Sequence, residues 1–400
     1  MAAPAGDRPI DAVVAGHICL DVFPDLAATA GTDFLALLRP GQLVQVGKVG
    51  FSTGGPVSNT GLALHKLGIR TRLMGKVGDD LFGSAVRQIV GTFGSDLAGG
   101  MVVDPAADTS YTIILSAPGL DRIFLHAPAA NNTFTAEDVR YDVVAQARLF
   151  HFGYPPLMRR MFEAGGEQLE AVFRRVKALG VTTSLDMAVP DPASEAGRAD
   201  WRAILGRTLP YVDVFLPSIE ETLFVLRRET HDALVAGAGG SSLLPLVTPE
   251  LLSDVSGELL EMGAKIVGLK LGSRGLYVRT GDAVAIESLG AARPAGWRGW
   301  ASREAWAPCF QVDMVGTTGS GDATIAGFLS ALLRGYTFPR AVSMAVAVGA
   351  CNVEAFDALS GIRSWEATEA RIAAGWARRE ERLSSAGWSW DPGVGLWEKA

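Results

Sequence analysis

The sequence predicts an α/β fold: a mostly parallel central sheet covered by helices on both faces, with a small β-sheet lid. Three observations carry this. Short apolar runs alternate with helical patterns along most of the chain, as parallel strands joined by helical crossovers require. Glycine-rich turns at 54–59 and 316–323 each lead into a helical pattern; in parallel sheets ligands bind at the carboxyl ends of the strands, where such turns sit. Finally, 38–52 and 109–126 carry β-like, partly alternating patterns with no following helix, so they are expected to pair apart from the main sheet as a lid.

In chain order, 11–16 (Asp-Ala-Val-Val-Ala-Gly) is an apolar run that reads as a buried first strand ending at glycine. Residues 58–67 read as a helix, with Ser58 as cap, Leu64 and Leu67 on one face, and Gly68 as the stop. Residues 71–77 read as a strand and 80–93 as a helix. The helix at 166–179 is the clearest, because Leu169, Val172, Phe173, Val176 and Leu179 follow the 3.6-residue period with Arg and Lys opposite. It passes through Gly180 into the strand Val181–Leu185. Further strands are expected at 212–216 and 265–271, and helices at about 218–229 and 321–334. The Gly-, Ala- and Pro-rich stretches 234–248 and 290–308 read as insertions. The domain is expected to span 1–383, followed by a tail, 384–400, with Trp388, Trp390 and Trp397 among Gly and Pro. Tryptophans usually pack on their own domain, the alternative for this tail being a partner contact. No repeat of fixed period is present.

Composition narrows the function. With 400 residues, 48% hydrophobic and 20% charged, the chain is not mostly disordered. A formal net charge of −7 leaves no basic footprint, which argues against nucleic acid as the main partner. It also disfavours an anionic substrate, unless local donors override the global sign. Cys19, Cys309 and Cys351 lie far apart and form neither a disulfide framework nor a zinc pattern, as in a reducing compartment. No segment reads as an export signal or a membrane span. The expectation is a soluble, cytoplasmic protein without a membrane partner.

The strongest local signal is Val315-Gly-Thr-Thr-Gly-Ser-Gly-Asp-Ala323, followed at once by a helical pattern from Thr324. A glycine-rich turn opening a helix aims several backbone N–H groups at one spot, and the helix dipole adds partial positive charge there. Gly319, Ser320 and Gly321 are small enough for a phosphate to approach the backbone. A carboxylate inside such an anion hole needs a reason. Asp322 suits a general base that takes the proton of an alcohol as its oxygen attacks a phosphate, kept ionised by the helix start. The plainer reading is an acid that charges the first helical turn. No Gly-Lys-Ser/Thr follows, so this is not a Walker loop.

Gly316–Leu329 resembles the C-terminal signature of the ribokinase-like carbohydrate kinases, also called the phosphofructokinase-B family. The departures are Gly316, where the family most often has Asp or Asn, and Ser320 in place of Ala. Other segments resemble family motifs in family order: Gly16-His-Ile-Cys-Leu-Asp21, Gly54-Gly-Pro-Val-Ser-Asn59, Gly75-Lys-Val-Gly-Asp-Asp-Leu-Phe-Gly83, Gly119-Leu-Asp-Arg122 and Gly272-Ser-Arg-Gly275. Together they cover roughly 11–365, and a joint chance match is far rarer than a match to any one of them.

The resemblance implies a ribokinase-like fold and roles residue by residue. Asp322 is the base, within the anion hole of Gly319, Ser320 and Gly321. Asp21 holds sugar hydroxyls, Gly54 and Gly55 let backbone approach the sugar, and Asn59 adds an amide. Arg122, Asn131 and His126, on or after the lid strands, touch substrate when the lid closes. Lys270, Gly272 and Gly275 border ATP, and Asn352 lies in the helix beside the adenine. Ser218-Ile-Glu-Glu221 aligns with the family's Asn-x-x-Glu, which makes Glu221 the candidate for Mg²⁺. Asp186 stands where the family often has Asp-x-Asn, with Ala188 replacing the Asn, and Asp79 and Asp80 read as turn residues. Plainer readings stay open: helix capping for Asn59, a charged first turn for Glu221, a polar core position for Asn352, and a surface or interface histidine for His126. A monovalent cation (K⁺) is admitted as a further cofactor. The lid excludes water during transfer, and in relatives an exposed lid sheet can pair with a second copy, so a homodimer through the lid is expected.

The function implied is transfer of the γ-phosphate of ATP to a hydroxyl of a sugar, as in ribokinases and fructokinases. One alternative is a nucleoside kinase of the same family, which needs an apolar wall for its base that the sequence does not reveal. The other is a non-catalytic sugar-sensing relative, which would be expected to lose the base or the glycines that this chain keeps.

Overall fold

Apolar runs become strands buried on both faces. In the computed structural model, which describes residues 8–26, 40–116, 123–383 and 385–399, the first of these is β1 (Ile10–Gly16). The chain then forms β2 (Cys19–Pro24), β3 (Val49–Gly54), β4 (Thr71–Met74), β5 (Lys76–Gly78), β6 (Val102–Asp104), β7 (Tyr111–Leu115) and β8 (Ile123–Ala127). It continues with β9 (Ala147–Gly153), β10 (Thr182–Leu185), β11 (Val214–Phe215), β12 (Ile266–Lys270), β13 (Leu276–Thr280), β14 (Glu304–Ala307), β15 (Trp388–Asp391) and β16 (Leu396–Lys399).

The main sheet runs β15-β16-β14-β13-β12-β11-β10-β9-β1-β4. It is parallel from β4 to β12 and antiparallel from β12 to β15. Val14, Leu149, Val214 and Ile266 project from one face into a core shared with the helices Pro56–Lys66, Ser320–Leu333 and Phe338–Asn352. Val13, Phe150, Phe215 and Val267 project from the other face against Glu167–Ala178, Ile219–Leu226 and Pro249–Glu261. Two-sided burial explains why the parallel strands read as unbroken apolar runs.

Several boundaries differ from the sequence expectation. The first helix starts at Pro56 with Gly55 (φ 84°) at its N-cap, so Ser58 is not the cap. Ser58 is buried inside the helix and pairs its hydroxyl with that of Thr53 at 2.6 Å. The expected strand at 71–77 breaks at Gly75, where a Cβ would come within 2.7 Å of Ile18. Its second half, β5, leaves the main sheet to pair with β6. Asp80 has the turn role expected, accepting the N–H groups of Gly83 and Thr109 at 2.7 Å each.

The stretch read as an insertion at 290–308 contains β14, and the stretch read as a tail contains β15 and β16. All three belong to the main sheet, with Trp306 paired to Trp397 and Trp390 to Trp397 across the ladders. The Trp397 indole donates to the Glu381 carbonyl at 2.9 Å, and the Trp388 ring lies 6.2 Å from that of Tyr277. These tryptophans therefore pack on their own domain. Among the described residues, no helix is long and apolar enough to cross a membrane.

The lid is a separate sheet, β3-β2-β7-β8. Its first strand begins only at Val49, whereas the expectation placed β structure from 38; residues 27–39 lie outside the described residues. Strict alternation gives the lid two chemistries. Asp21, Thr112 and His126 are paired neighbours on one face, while Val22, Phe51, Ile113 and Leu125 are paired neighbours on the other.

Candidate active site

The helix Ser320–Leu333 begins where the chain turns sharply. Gly319 is its N-cap at φ 70°, and a Cβ there would stand 2.6 Å from the Cβ of Ala358, so only glycine fits. Ser320, Gly321 and Asp322 form the first turn; the Ser320 N–H is taken by the Thr317 carbonyl at 3.2 Å, and those of Gly321 and Asp322, which precede the first intrahelical acceptors, face outward along the axis.

Asp322 is buried, 3% exposed. Its Oδ2 accepts from Asn59 Nδ2 at 3.1 Å and from the Tyr154 hydroxyl at 3.0 Å, and its Oδ1 accepts from Thr60 Oγ1 at 2.9 Å. Burial raises its carboxyl above the ordinary range, opposed by the charge of Lys270 and by these three donors. The helix start was expected to keep this acid ionised at neutral pH; burial works against that, and Lys270 and the three donors work for it.

Asn59 and Thr60 lie on the helix Pro56–Lys66, which packs against Ser320–Leu333. Tyr154 follows β9 directly and adopts φ 62°, a left-handed conformation costly for a non-glycine residue. Sequence reasoning missed it together with β9. The available signal was an aromatic residue following an apolar run that ends in glycine, Leu149-Phe-His-Phe-Gly153.

On one side of Asp322 lies Asp21, on the inner face of the lid. Burial pushes its carboxyl up to about 6. A Cβ on Gly54 would stand 2.4 Å from Asp21 Oδ2, and a Cβ on Gly55 2.5 Å from His17 Nδ1. These glycines therefore make room for Asp21 and His17, rather than for the ligand alone as expected. Among the described residues, Asn59 Oδ1 is buried without a hydrogen-bond partner, and it belongs to the side chain that donates to Asp322.

One expectation on this side fails. Asn131 is fully buried, and its amide closes on one backbone unit: Nδ2 donates to the Ile18 carbonyl at 2.9 Å, and Oδ1 accepts the Ile18 N–H at 3.2 Å. With both ends of the amide used, it anchors the start of the lid rather than touching substrate. Arg122 lies outside the described residues. His126 points inward, its Nε2 3.3 Å from His17 Nε2.

On the other side, Lys270 ends β12. Its Nζ donates to Asp186 Oδ1 at 2.6 Å and to the Leu216 carbonyl at 2.8 Å, and stands 4.0 Å from Glu221 Oε2. Burial raises both carboxyls, and Lys270 opposes that in each case. Glu221 and Ser218 form a capping box, in which Oε2 accepts the Ser218 N–H at 2.6 Å and Ser218 Oγ accepts the Glu221 N–H at 3.1 Å. Glu221 thus caps its helix and also stands beside Lys270. Gly275 (φ 99°) turns tightly under β14, where a Cβ would meet the Ala307 carbonyl at 1.9 Å.

A cleft lined by Gly272, Gly275, Met314, Val346 and Val353 opens here. It shares Lys270, Gly272, Thr317, Ser320 and Gly321 with a second cavity that reaches Tyr154, Glu221 and Asp322. Asn352 is not among the lining residues. It is fully buried and donates to the Ala358 carbonyl at 2.7 Å, and Ala358 is the residue packed on Gly319. It supports the anion-hole turn from behind and does not flank the cleft as expected.

Comparison with known proteins identifies the family and the fold. The profile described as pfkB family carbohydrate kinase matches residues 13–364. Fructokinase-2 of Oryza sativa subsp. japonica is 26% identical over 236 residues, which span 58% of this chain and 64% of that protein's length. An uncharacterized sugar kinase of Archaeoglobus fulgidus is 24% identical over 302 residues, 75% of this chain and 98% of that one. The solved structure of Arabidopsis thaliana ribokinase complexed with ribose and ATP shares the fold, with a TM-score of 0.66 at 17% identity over 90% of this chain and 98% of that one. With a family profile that matches residues 13–364, from β1 onward, this chain belongs to the pfkB family of carbohydrate kinases.

Proposed function

We propose that this protein transfers the γ-phosphate of ATP to a hydroxyl of a sugar, with Asp322 as the base. One observation carries the reading: a buried carboxylate, aimed by three donors from two segments, stands in the first turn of a helix where two cavities meet. Asp322 takes the proton of the acceptor hydroxyl, and the N–H groups of Gly321 and Asp322 face the charge that builds on the transferring phosphoryl group. Asp21 and Asn59 Oδ1 orient the acceptor as hydrogen-bond acceptors for its hydroxyls. Polar groups line this side, which suits a sugar better than the face of a nucleobase. The apolar cleft of Met314, Val346 and Val353 suits an adenine ring.

Hard oxygen donors suit Mg²⁺, and the buried carboxylates of Glu221 and Asp186 beside Lys270 are the residues that would hold it. Bound there, the ion neutralises phosphate charge during transfer. The lid inner face keeps water from the acceptor.

ADP release with Mg²⁺, measured over a panel of ketoses, aldoses, polyols and nucleosides, tests the reading. Turnover on a sugar, lost in Asp322→Asn, supports it; turnover that survives Asp322→Asn refutes the base. We further propose a homodimer through the lid, because Val49, Phe51, Ile123 and Leu125 expose 42%, 53%, 41% and 51% of their surface on its outer face. Sedimentation should show a dimer for the wild type and a monomer for Phe51→Asp.

A further inference from the structure

His17, Cys19 and His126 converge where the lid meets the main sheet, although His126 lies 109 residues from His17 in sequence. One candidate ligand atom from each lies within 4.8 Å of the other two. We propose that these three side chains bind a borderline-soft divalent cation of the zinc type.

The distances favour this. Two nitrogens each about 2.0–2.1 Å from a tetrahedral zinc stand about 3.4 Å apart, and the Nε2 atoms of His17 and His126 are 3.3 Å apart. The other nitrogen of His126, Nδ1, is 3.0 Å from Thr112 Oγ1. With its proton on Nδ1, His126 turns the Nε2 lone pair into the cluster, the orientation that outer partners impose on metal-bound histidines. Without a metal, the two imidazoles pair at 3.3 Å and the Cys19 thiol donates to Asp21 Oδ1 at 3.3 Å; binding zinc releases that thiol proton and joins all three side chains to one ion. Two imidazoles and one thiolate are ligands that select zinc over magnesium or calcium.

Three protein ligands leave a fourth position open. Cys19 Sγ also lies 3.3 Å from Asp21 Oδ1, so a cation here sits beside the residue assigned to the acceptor. It fastens β8 of the lid to β2 and to the turn after β1. The widely spaced cysteines had argued against zinc in the sequence; the site uses only one of them, and its histidines come from the two ends of the lid region.

The test uses the full chain stripped by a chelator and titrated with Zn²⁺ alone by calorimetry, then with Co²⁺ alone by absorption spectroscopy. The expected result is one zinc per chain and a Co²⁺ adduct with intense visible bands of a tetrahedral site plus a near-ultraviolet thiolate band. Cys19→Ser should abolish that band, while Cys309→Ser and Cys351→Ser retain it. His126→Gln should weaken zinc binding by about 100-fold, since even outer-partner changes cost about 10–100-fold. Absence of zinc binding by the wild type, or binding unchanged by Cys19→Ser and His126→Gln, overturns the site. Should those variants fail to fold, X-ray absorption of the zinc-loaded wild type decides: sulfur with imidazole nitrogen supports it, and an all-oxygen shell overturns it.

Discussion

On the acceptor side of Asp322, side chains carry the recognition; on the donor side, backbone turns and apolar surface do. The acceptor side gathers Asp21, Asn59, Thr60 and Tyr154 from the lid, a helix and the end of a strand, and the last three donate to one carboxylate at 2.9–3.1 Å. The donor side is shaped by Gly272, Gly275 and Gly319, all at positive φ, and its main polar element is the cluster of Lys270 with Asp186 and Glu221. The contrast teaches where each kind of substitution should act. Changes on the acceptor side should move catalysis and the pH profile, whereas loss of the donor-side cation should move stability.

The sharpest way to break this contrast is Asp322→Asn. It preserves shape and removes only the base, so kcat should fall by about 10²–10⁴-fold with the fold intact, as read by ADP release and circular dichroism. Lys270→Met comes next. It leaves two buried carboxyl groups without their cation, and denaturant unfolding should show a loss of about 3–5 kcal/mol. An unchanged unfolding midpoint would mean that the cluster is not structural.

Asp21→Asn removes a charged acceptor worth about 1.5–3 kcal/mol, so KM for the sugar should rise about 10–150-fold. The pH dependence supplies the sign. Asp21 is ionised above about 6, so the wild-type KM should climb as pH falls through that value, and the variant's KM should stay level there. Tyr154→Phe is expected to be the mildest of these changes, lowering kcat by about tenfold for one hydrogen bond to a charged group. Because that hydroxyl pulls the Asp322 carboxyl down, its loss should also move the acid limb of the kcat profile to higher pH. A lower kcat with an unmoved limb would make Tyr154 a packing residue.

Legibility in the sequence followed the same divide. Gly319 to Asp322 is contiguous, so its chemistry could be read from spacing, and the helix Glu167–Ala178 announced itself by period. Thr60 and Tyr154 act on a residue 262 and 168 positions away, and no local pattern encodes such a meeting. Asn131 and Asn352 show the opposite error. An amide serves a ligand or a backbone carbonyl equally well, and only burial told them apart. Among the strands, β9 was missed because Arg148 and His151 interrupt its apolar run. β14 and the β15–β16 hairpin were missed because short Trp- and Gly-containing segments resemble loops until an existing sheet edge gives them a partner.

That late partner bears on how the chain folds as it is made. β14 pairs with β13 on one side, and among the described residues its other side pairs with β16 (Leu396–Lys399), roughly 90 positions further along the chain. During synthesis the nascent domain therefore carries an open strand edge with Trp306 beside it, a template for pairing with a neighbouring chain. The Trp388–Lys399 hairpin acts as a closing seam, and folding of the sheet is completed only when that seam has emerged.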